Sequence, residues 1–421
     1  MGTPCDADVV VVGGGAAGLW AAWRAASLGA RVLVLEKTPR TGTKVLASGG
    51  THCNLTTTLG PDEARALFGP RAERFLAHAF WNLAPTDVRE RFAEWGVPTV
   101  EAPLEKIFPA SGRARDVRDA LERAARGAGA TVRLTAPVAK VEREGDLWAL
   151  VLEGGERVRA PRAILCPGGR SYARTGTTGD GYRWCSELGL PLVETVPALV
   201  PLTSPDAWVH ALTGIAIQDA EVRLVAATGR TLARRRRPVL FTHVGLSGPG
   251  AMDVSEGVAR RAPGEVSVAI DLVPDLDREE LRERFVAGAS AKGRPRLSRV
   301  LDAPIPARLR ARVLAQAQVD GDDVVLAELS KSSRHELVEA LKGLRVGVDG
   351  TCGYDQAEVT AGGLDLVVVD PRTMAVRGRP GLFVCGELLD VQGPIGGLNV
   401  QAAFATAELA GAAASVDLAA R

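Results

Sequence analysis

The sequence predicts an α/β protein whose parallel sheet is built from both ends of the chain. A β-rich insertion with a small helical insert interrupts that sheet. Three observations predict this. The stretch Asp8-Val9-Val10-Val11-Val12-Gly13-Gly14-Gly15-Ala16-Ala17-Gly18 joins four valines to a spaced glycine run. Residues 195–275 break into short apolar runs separated by Gly, Pro and Asp, and residues 276–345 turn rich in Arg, Leu, Ala and Glu. After Gly350, apolar runs that end in glycine return.

The first stretch sets the argument. Four consecutive valines read as a strand buried on both faces. It runs straight into Gly13-x-Gly15-x-x-Gly18, and helical spacing follows from Ala17 to about Leu28. Gly13 lets the chain turn out of the strand. Gly15 lets the backbone approach a pyrophosphate, and Gly18 lets the helix pack close to the sheet. The helix N-terminus offers N–H groups and a positive dipole end to phosphates. A second strand, Arg31-Val32-Leu33-Val34-Leu35, ends in Glu36. That carboxylate lies about 20 residues past the glycines, where it can accept hydrogen bonds from a ribose diol. The order strand, glycines, helix, strand, acid favours a dinucleotide site over a tight structural turn. It does not choose between NAD and FAD.

Bulk composition narrows the class. A chain of 421 residues, 46% of them apolar, exceeds what one core usually supports. The net charge of +1 gives no global attraction to nucleic acid or an anionic membrane, and neither is expected as a partner. The six cysteines, at 5, 53, 166, 185, 352 and 385, include no Cys-x-x-Cys. No metal site or disulfide framework is expected, and a reducing cytoplasm is. The first strand is too short and glycine-broken for a signal peptide or a membrane span. The sequence leaves the oligomeric state open.

The remaining elements follow in order. Lys37 to Asn54 form a small-residue polar loop beyond the second strand, where ligands of parallel sheets bind. Ser48-Gly49-Gly50 beside Asn54 points to phosphate or ring contact. His52 and Cys53 are adjacent, so they are not expected to work as a nucleophile pair. Helices are expected at Arg74–Phe80 and Thr86–Trp95, the second closed by Gly96, and at Ala114–Gly127. His78 is expected to pack on an apolar face. Strands are expected at Thr131–Leu134, around a hairpin at Gly145 and Gly154-Gly155, and at Arg162–Cys166 before Pro167-Gly168-Gly169. A second glycine-rich loop runs from Arg170 to Tyr182, and Asp180 is expected to cap the next helix.

Short strands are expected at Leu199–Leu202, Gly214–Ile217, Glu221–Val225, Val239–His243 and Val266–Asp271. Arg234 to Arg237 read as a solvated hairpin. The helical insert is broken at Pro295 and at Ala303-Pro304-Ile305-Pro306. Sheet texture then resumes with Ala357–Gly363 leading to Leu364–Val369, followed by a buried strand, Gly381–Glu387. Gly393-Pro-Ile-Gly396-Gly397-Leu398-Asn399-Val400 opens a last helix, about Val400 to Ala413. The expected division is therefore 1–192 and 346–421 for the cofactor domain, with 193–275 β-rich and 276–345 helical. The segment to about residue 360 returns from the insert.

Five blocks carry a family resemblance. They are Gly42-Thr-Lys44 with Ser48-Gly49-Gly50 and Cys53-Asn54; Pro167–Tyr172 with Thr175–Tyr182; Leu240–Pro249; Ala357–Gly363; and Gly386-Glu387-Leu-Leu-Asp390 through Gly396–Gln401. In this order they resemble the BaiN/YhiN-like, aminoacetone-oxidase-like family of NAD(P)/FAD-dependent flavoproteins. The resemblance implies a Rossmann-like two-dinucleotide-binding FAD domain with an inserted β-barrel-like domain and a small helical insert. It implies FAD as cofactor, with Gly13, Gly15, Ala16, Ala17 and Gly18 at the pyrophosphate and Glu36 at the adenosine ribose, Lys37 beside it. Lys44, Ser48, Gly49 and Asn54 would approach phosphate or isoalloxazine, and Gly168 would pass close by. Gly386 and Glu387 would hold the ribityl chain. Gly397, Leu398, Asn399 and Val400, at a helix N-terminus, would stabilise negative charge on the reduced flavin.

Two departures fall near the flavin: His52 replaces the family's usual Arg, and Leu398 its usual aromatic. His52 and His243, the latter in Thr-His-x-Gly-Leu-Ser-Gly-Pro, are the candidate catalytic residues. His243 reads as a proton donor or as a structural ligand of its glycine turn. The expected function is FAD-dependent hydride transfer between flavin N5 and a small organic substrate. The direction of electron flow is left open; if NADH or NADPH is the reductant it would bind transiently over the ring, because only one dinucleotide fingerprint is complete. An O2-using amine oxidase competes with an enone reductase within that class. A flavin-binding RNA-modification protein and a non-catalytic regulatory flavoprotein are the alternatives outside it. The absence of an extended basic, aromatic-bearing segment counts against RNA.

Overall fold

The structure is a computed structural model, and it describes residues 5–301, 305–321 and 323–416. The chain divides into two compact units, Met1–Val196 with Glu358–Arg421, and Pro197–Ala357.

The first unit is organised on a parallel sheet. The elements that frame the site are β1 (Val9–Val12), α1 (Ala16–Ser27), β2 (Val32–Leu35), α2 (Thr43–Ala47), α3 (Pro70–Asn82), α4 (Ala114–Gly127), β3 (Thr131–Arg133), β4 (Arg162–Leu165), β5 (Val359–Leu364), β6 (Leu382–Val384) and α5 (Leu398–Ser415). The sheet order is β6-β4-β1-β2-β3, with β1 parallel to both neighbours in register Val9↔Arg162 and Val9↔Val32. All four valines of β1 are buried. A strand covered on both faces has no use for polar alternation, which is why the run reads as continuous valine.

The two ends of the chain meet on one face of this sheet. Helix α5 packs along α1. A Cβ at Gly411 would lie 2.6 Å from the Ala21 carbonyl, so only glycine permits that approach. Trp20 on α1 is fully buried among Trp23, Phe92, Trp95 and Phe404, and its indole N–H donates to Glu408 at 2.8 Å. A large aromatic with its one donor satisfied is a stable core anchor.

The second unit carries antiparallel sheets and the helices of the insert. Glu221–Ala226 pairs with Thr231–Arg236 on one side and Val266–Asp271 on the other. Val239–Phe241 pairs with Gly245–Ser247. Helices Arg278–Ser290, Leu297–Val300, Ala307–Gln316 and Lys331–Lys342 follow. The turn holding Pro295 separates the first two. The break at Ala303-Pro304 lies outside the described residues. Of the basic run, Arg234–Arg236 end a largely exposed strand, and Arg237 follows it; Arg236 bonds Asp219 at 2.7 and 2.5 Å and Asp275 at 2.6 Å.

Four local expectations are corrected. His78 is exposed rather than packed, because the buried face of α3 is Ala72, Phe75, Leu76, Ala79 and Phe80. Asp180 does not cap its helix. Gly179 is the N-cap, and the Asp180 carboxylate is taken by Lys37 at 2.7 Å. The strand near residue 360 is Val359–Leu364, not Leu364–Val369. Asp365 accepts from the Val367 N–H and folds Leu366–Val368 into a 3-10 turn instead. The run Leu199–Leu202 forms a strand only at Leu202–Thr203, after Leu192–Ala198.

Candidate functional site

The site begins where β1 ends. Gly13 has φ +105°, and a Cβ there would meet the Cys166 carbonyl at 2.5 Å. A side chain at Gly18 would overlap the Gly13 carbonyl. These two glycines therefore serve the strand-to-helix fit. Gly15 differs: a Cβ there would meet nothing within 4 Å. Its residue is the N-cap of α1, and the first N–H groups of that helix, from Ala16 and Ala17, have no helical acceptor. Open space at a glycine beside free N–H donors is what a pyrophosphate needs.

Glu36 follows β2 and is aimed back at this turn. Its Oε2 accepts from the Gly14 N–H at 2.7 Å, and its Oε1 accepts from the Thr38 N–H at 2.8 Å and the Thr38 hydroxyl at 2.7 Å. Three donors fix the carboxylate and leave acceptor capacity for a ribose hydroxyl. Lys37 points away to Asp180 and to Thr178 at 2.6 Å.

The second half of the site joins residues far apart in sequence. Lys44 on α2 donates to Glu387 Oε2 at 2.6 Å and to Ser171 Oγ at 2.7 Å. Glu387 Oε1 lies 3.0 Å from Ser171 Oγ and accepts from the Thr360 N–H at 2.9 Å. The Thr360 hydroxyl in turn accepts from the N–H groups of Arg170 and Ser171 at 2.8 and 3.2 Å. Gly168 and Gly169 lie against this node: a Cβ on Gly169 would come within 2.9 Å of Glu387 Oε1. Ser171 and Thr360 went unassigned in the sequence, although both stand in the blocks that carry the resemblance.

The third part is the N-terminus of α5. Gly397 has φ +81°, and its Cα packs against the Thr56 carbonyl and Asn54 Oδ1 so tightly that a Cβ would clash with both. Asn54 Oδ1 also accepts from the Ile107 N–H at 3.0 Å. Gly396 stands in open space. The Asn399 amide clasps Gly393, accepting from its N–H and donating to its carbonyl, both at 2.8 Å. Leu398 is 1% exposed, so its side chain belongs to the core. What α5 offers a ligand is backbone: the N–H groups of Leu398, Asn399 and Val400. Gln401, fully buried, ties this end to Thr56 and to the Leu83 carbonyl, each at 2.7 Å.

The loop between these parts is conformationally unusual. Gly49, Gly50, Thr51 and Cys53 all have positive φ, and Ser48 closes onto the Val45 carbonyl at 2.7 Å. Cys53 is buried, and desolvation pushes its thiol pKa up to about 11, so it is no nucleophile. His52 is exposed, with Nδ1 2.7 Å from the Gly112 carbonyl. His243, in the second unit, is exposed at the turn between Val239–Phe241 and Gly245–Ser247. The Thr242 hydroxyl, not the imidazole, holds that turn, at 3.4 and 3.2 Å from the N–H groups of Val244 and Gly245.

The residues fit FAD. Open space at Gly15 and Gly396, orphan N–H groups at two helix starts and a fixed carboxylate at Glu36 match the parts of a dinucleotide. Gly15, with the N–H groups of Ala16 and Ala17, would hold the pyrophosphate in the turn that Gly13 and Gly18 shape, and Glu36 the ribose, with Lys44, Glu387 and the start of α5 toward the flavin half. When bound, FAD supplies two-electron hydride chemistry.

Comparison with known proteins agrees. Residues 7–413 match the family model described as HI0933-like protein Rossmann domain. The chain is 31% identical over 404 residues to a ribosomal RNA dihydrouridine synthase of Escherichia coli (strain K12), covering 95% of this chain and 96% of that one. It is 30% identical over 410 residues to the 3-dehydro-bile acid delta(4,6)-reductase of Clostridium scindens, covering 96% and 98%. In structure it resembles the 3-ketosteroid-delta4-(5alpha)-dehydrogenase of Rhodococcus jostii RHA1, with TM-score 0.52 and 17% identity, over 98% of each chain. The chain belongs to the HI0933-like Rossmann family and is BaiN-like. It is a flavoprotein oxidoreductase with an FAD-binding Rossmann fold. Among the described residues, no helix is long and apolar enough to cross a membrane.

Proposed function

We propose that this flavoprotein reduces a carbon–carbon double bond conjugated to a carbonyl, with NADH or NADPH as transient reductant. One observation carries the reading. The start of α5 presents free N–H groups beside Asn54, and this positive end can stabilise an electron-rich, hydride-donating flavin. The named relatives support the bond type. A dihydrouridine synthase saturates the uracil C5–C6 bond, conjugated to the C4 carbonyl. A delta(4,6)-reductase acts on double bonds that in a 3-dehydro steroid are conjugated to the 3-oxo group. His52, solvent-accessible in the first unit, is the candidate proton carrier there. Six free cysteines and a need for reduced nicotinamide suit a reducing cytoplasm.

A small-molecule enone is the first substrate class, in keeping with the delta(4,6)-reductase relative. One observation favours RNA as the second. The outer face of α3 brings Arg74, His78 and Trp81 together at helical spacing, and Trp81 is 72% exposed. An exposed indole beside a cation suits base stacking and phosphate contact. No continuous basic segment shows this in the sequence, because the helix assembles it. The test is anaerobic. Enzyme reduced by NADPH is mixed with 2-cyclohexen-1-one or with a uridine-bearing RNA hairpin. Reoxidation of the flavin by either, with a saturated product, supports the reading, and the reactive probe names the class. A flavin that stays reduced with both contradicts it.

A further inference from the structure

The sheet order sets β1 between β4 and β2, with all three parallel. Their C-terminal ends share one edge of the sheet. Any contact between the chain after β2 and the chain after β4 therefore passes the end of β1. That end is the Gly13–Gly18 turn, where the pyrophosphate would lie. Several side chains make the crossing. Lys37 Nζ, just after β2, lies 2.7 Å from Asp180 Oδ2 and donates to Thr178 Oγ1 at 2.6 Å. The Thr43 hydroxyl donates to the Thr175 carbonyl. Gly176 packs so close to Thr38 that a Cβ would lie 2.7 Å from its methyl group. The Gly42 N–H donates to the Gly14 carbonyl at 2.8 Å, which lays the first loop against the same turn.

The crossing is built to part, unlike the node beside it. Ser171, in the node, is fully buried. The Lys37 and Asp180 side chains are 29% and 32% exposed, and an ion pair that wet contributes little and opens readily. Gly176 and Gly179, with φ +100° and +84°, give the second loop left-handed turns on either side of Thr178. We propose that Lys37 and Asp180 form a latch across the FAD site. Paired, they hold the two loops together past the bound cofactor; parted, they let it enter and leave. Lys37 then acts on the cofactor through Asp180 and not as a ligand of the ribose. The latch is independent of the substrate and of the reductase reading.

Release of FAD from the loaded protein tests this. It is followed by flavin fluorescence after mixing with an excess of an FAD-binding apoenzyme as trap. Lys37→Met and Asp180→Asn should each release FAD about fivefold faster, with unfolding unchanged. Asp180→Asn separates the latch from direct contact. If Lys37 bound FAD itself, freeing it from Asp180 would leave release unchanged or slow it, and that result overturns the proposal. Lys37→Asp and Asp180→Lys should each speed release, and the two together should restore it to within about twofold. A double variant as fast as the single ones also overturns it. Hydrogen exchange over residues 172–179 should slow when FAD binds the wild type and stay fast in Asp180→Asn. Equal protection in both contradicts closure. Should a variant fail to take up FAD, the wild type decides. Its release should quicken as salt is raised, and a rate indifferent to salt overturns the latch.

Discussion

Each unit contains a lysine–carboxylate pair 2.6 Å long, and the two pairs do different work. In the second unit, Lys342 and Asp271 are 7% and 8% exposed. Lys342 also donates to the Val273 carbonyl at 3.1 Å and to that of Leu276 at about hydrogen-bond distance, and Asp271 accepts from the Val273 N–H at 3.0 Å. Every group is paired within the unit, so this is a clamp between the end of one helix and the end of one strand. In the first unit, Lys44 and Glu387 are 27% and 18% exposed. Their partners are the Ser171 hydroxyl and the Thr360 N–H, with the glycine loop around Gly168 and Gly169 packed alongside. Residue types and distance are the same in both. What separates structure from site is solvent access at the pair.

The largest expected effect breaks the clamp. Lys342→Met leaves Asp271 buried without a counter-charge and should cost about 3–5 kcal/mol in denaturant unfolding. Lys44→Met should cost under about 1 kcal/mol, because its pair is partly hydrated, while FAD affinity falls on the order of tenfold. Equal losses of stability would erase the distinction between the pairs.

The next contrast separates two glycines of one motif. Gly15→Ala puts a Cβ into open space, so unfolding should change little, while FAD binding weakens about tenfold or more by fluorescence titration. Gly18→Ala forces a Cβ onto the Gly13 carbonyl, so the apoprotein itself should be destabilised. If Gly15→Ala binds FAD as tightly as wild type, the pyrophosphate does not lie there.

Surface changes come next. Trp81→Ala should leave FAD binding and unfolding unchanged. If RNA is the substrate, it should weaken binding of the hairpin by about 1–3 kcal/mol, a loss of one stacked base. Unchanged RNA binding would free the α3 face from any role in it.

The smallest effect concerns Glu358. Its folded pKa is raised, so the folded protein holds more protons than the unfolded chain between the two pKa values. Stability must therefore fall as pH rises through that window. Glu358→Gln should flatten that part of the stability–pH curve. A curve unchanged by the substitution would mean the carboxyl is not desolvated.

The sequence shows the first half of the site better than the second, for a physical reason. The valine strand, the glycines and Glu36 lie within one βαβ unit, so local periodicity and spacing display them. Helix α4 was legible to its ends, Ala114 and Gly127, because its apolar face repeats cleanly. The Lys44–Ser171–Thr360–Glu387 node joins residues up to 343 positions apart, and no local pattern encodes that meeting. Asp180 looked like a cap because Asp before a helix usually is one, but Lys37, distant in sequence, won the carboxylate. His78 looked buried because its neighbours are apolar, yet the helical period turns it outward. The Leu364–Val369 run has strand composition, but one Asp365 side chain was enough to turn it.

The most direct test of the central claim is anaerobic flavin reoxidation. The purified protein should carry or take up FAD, bleach with NADPH, and recover its visible band without O2 when 2-cyclohexen-1-one or uridine-bearing RNA is added, yielding the saturated product. A protein that cannot be loaded with FAD, or one whose reduced flavin is reoxidised only by O2, would contradict the account.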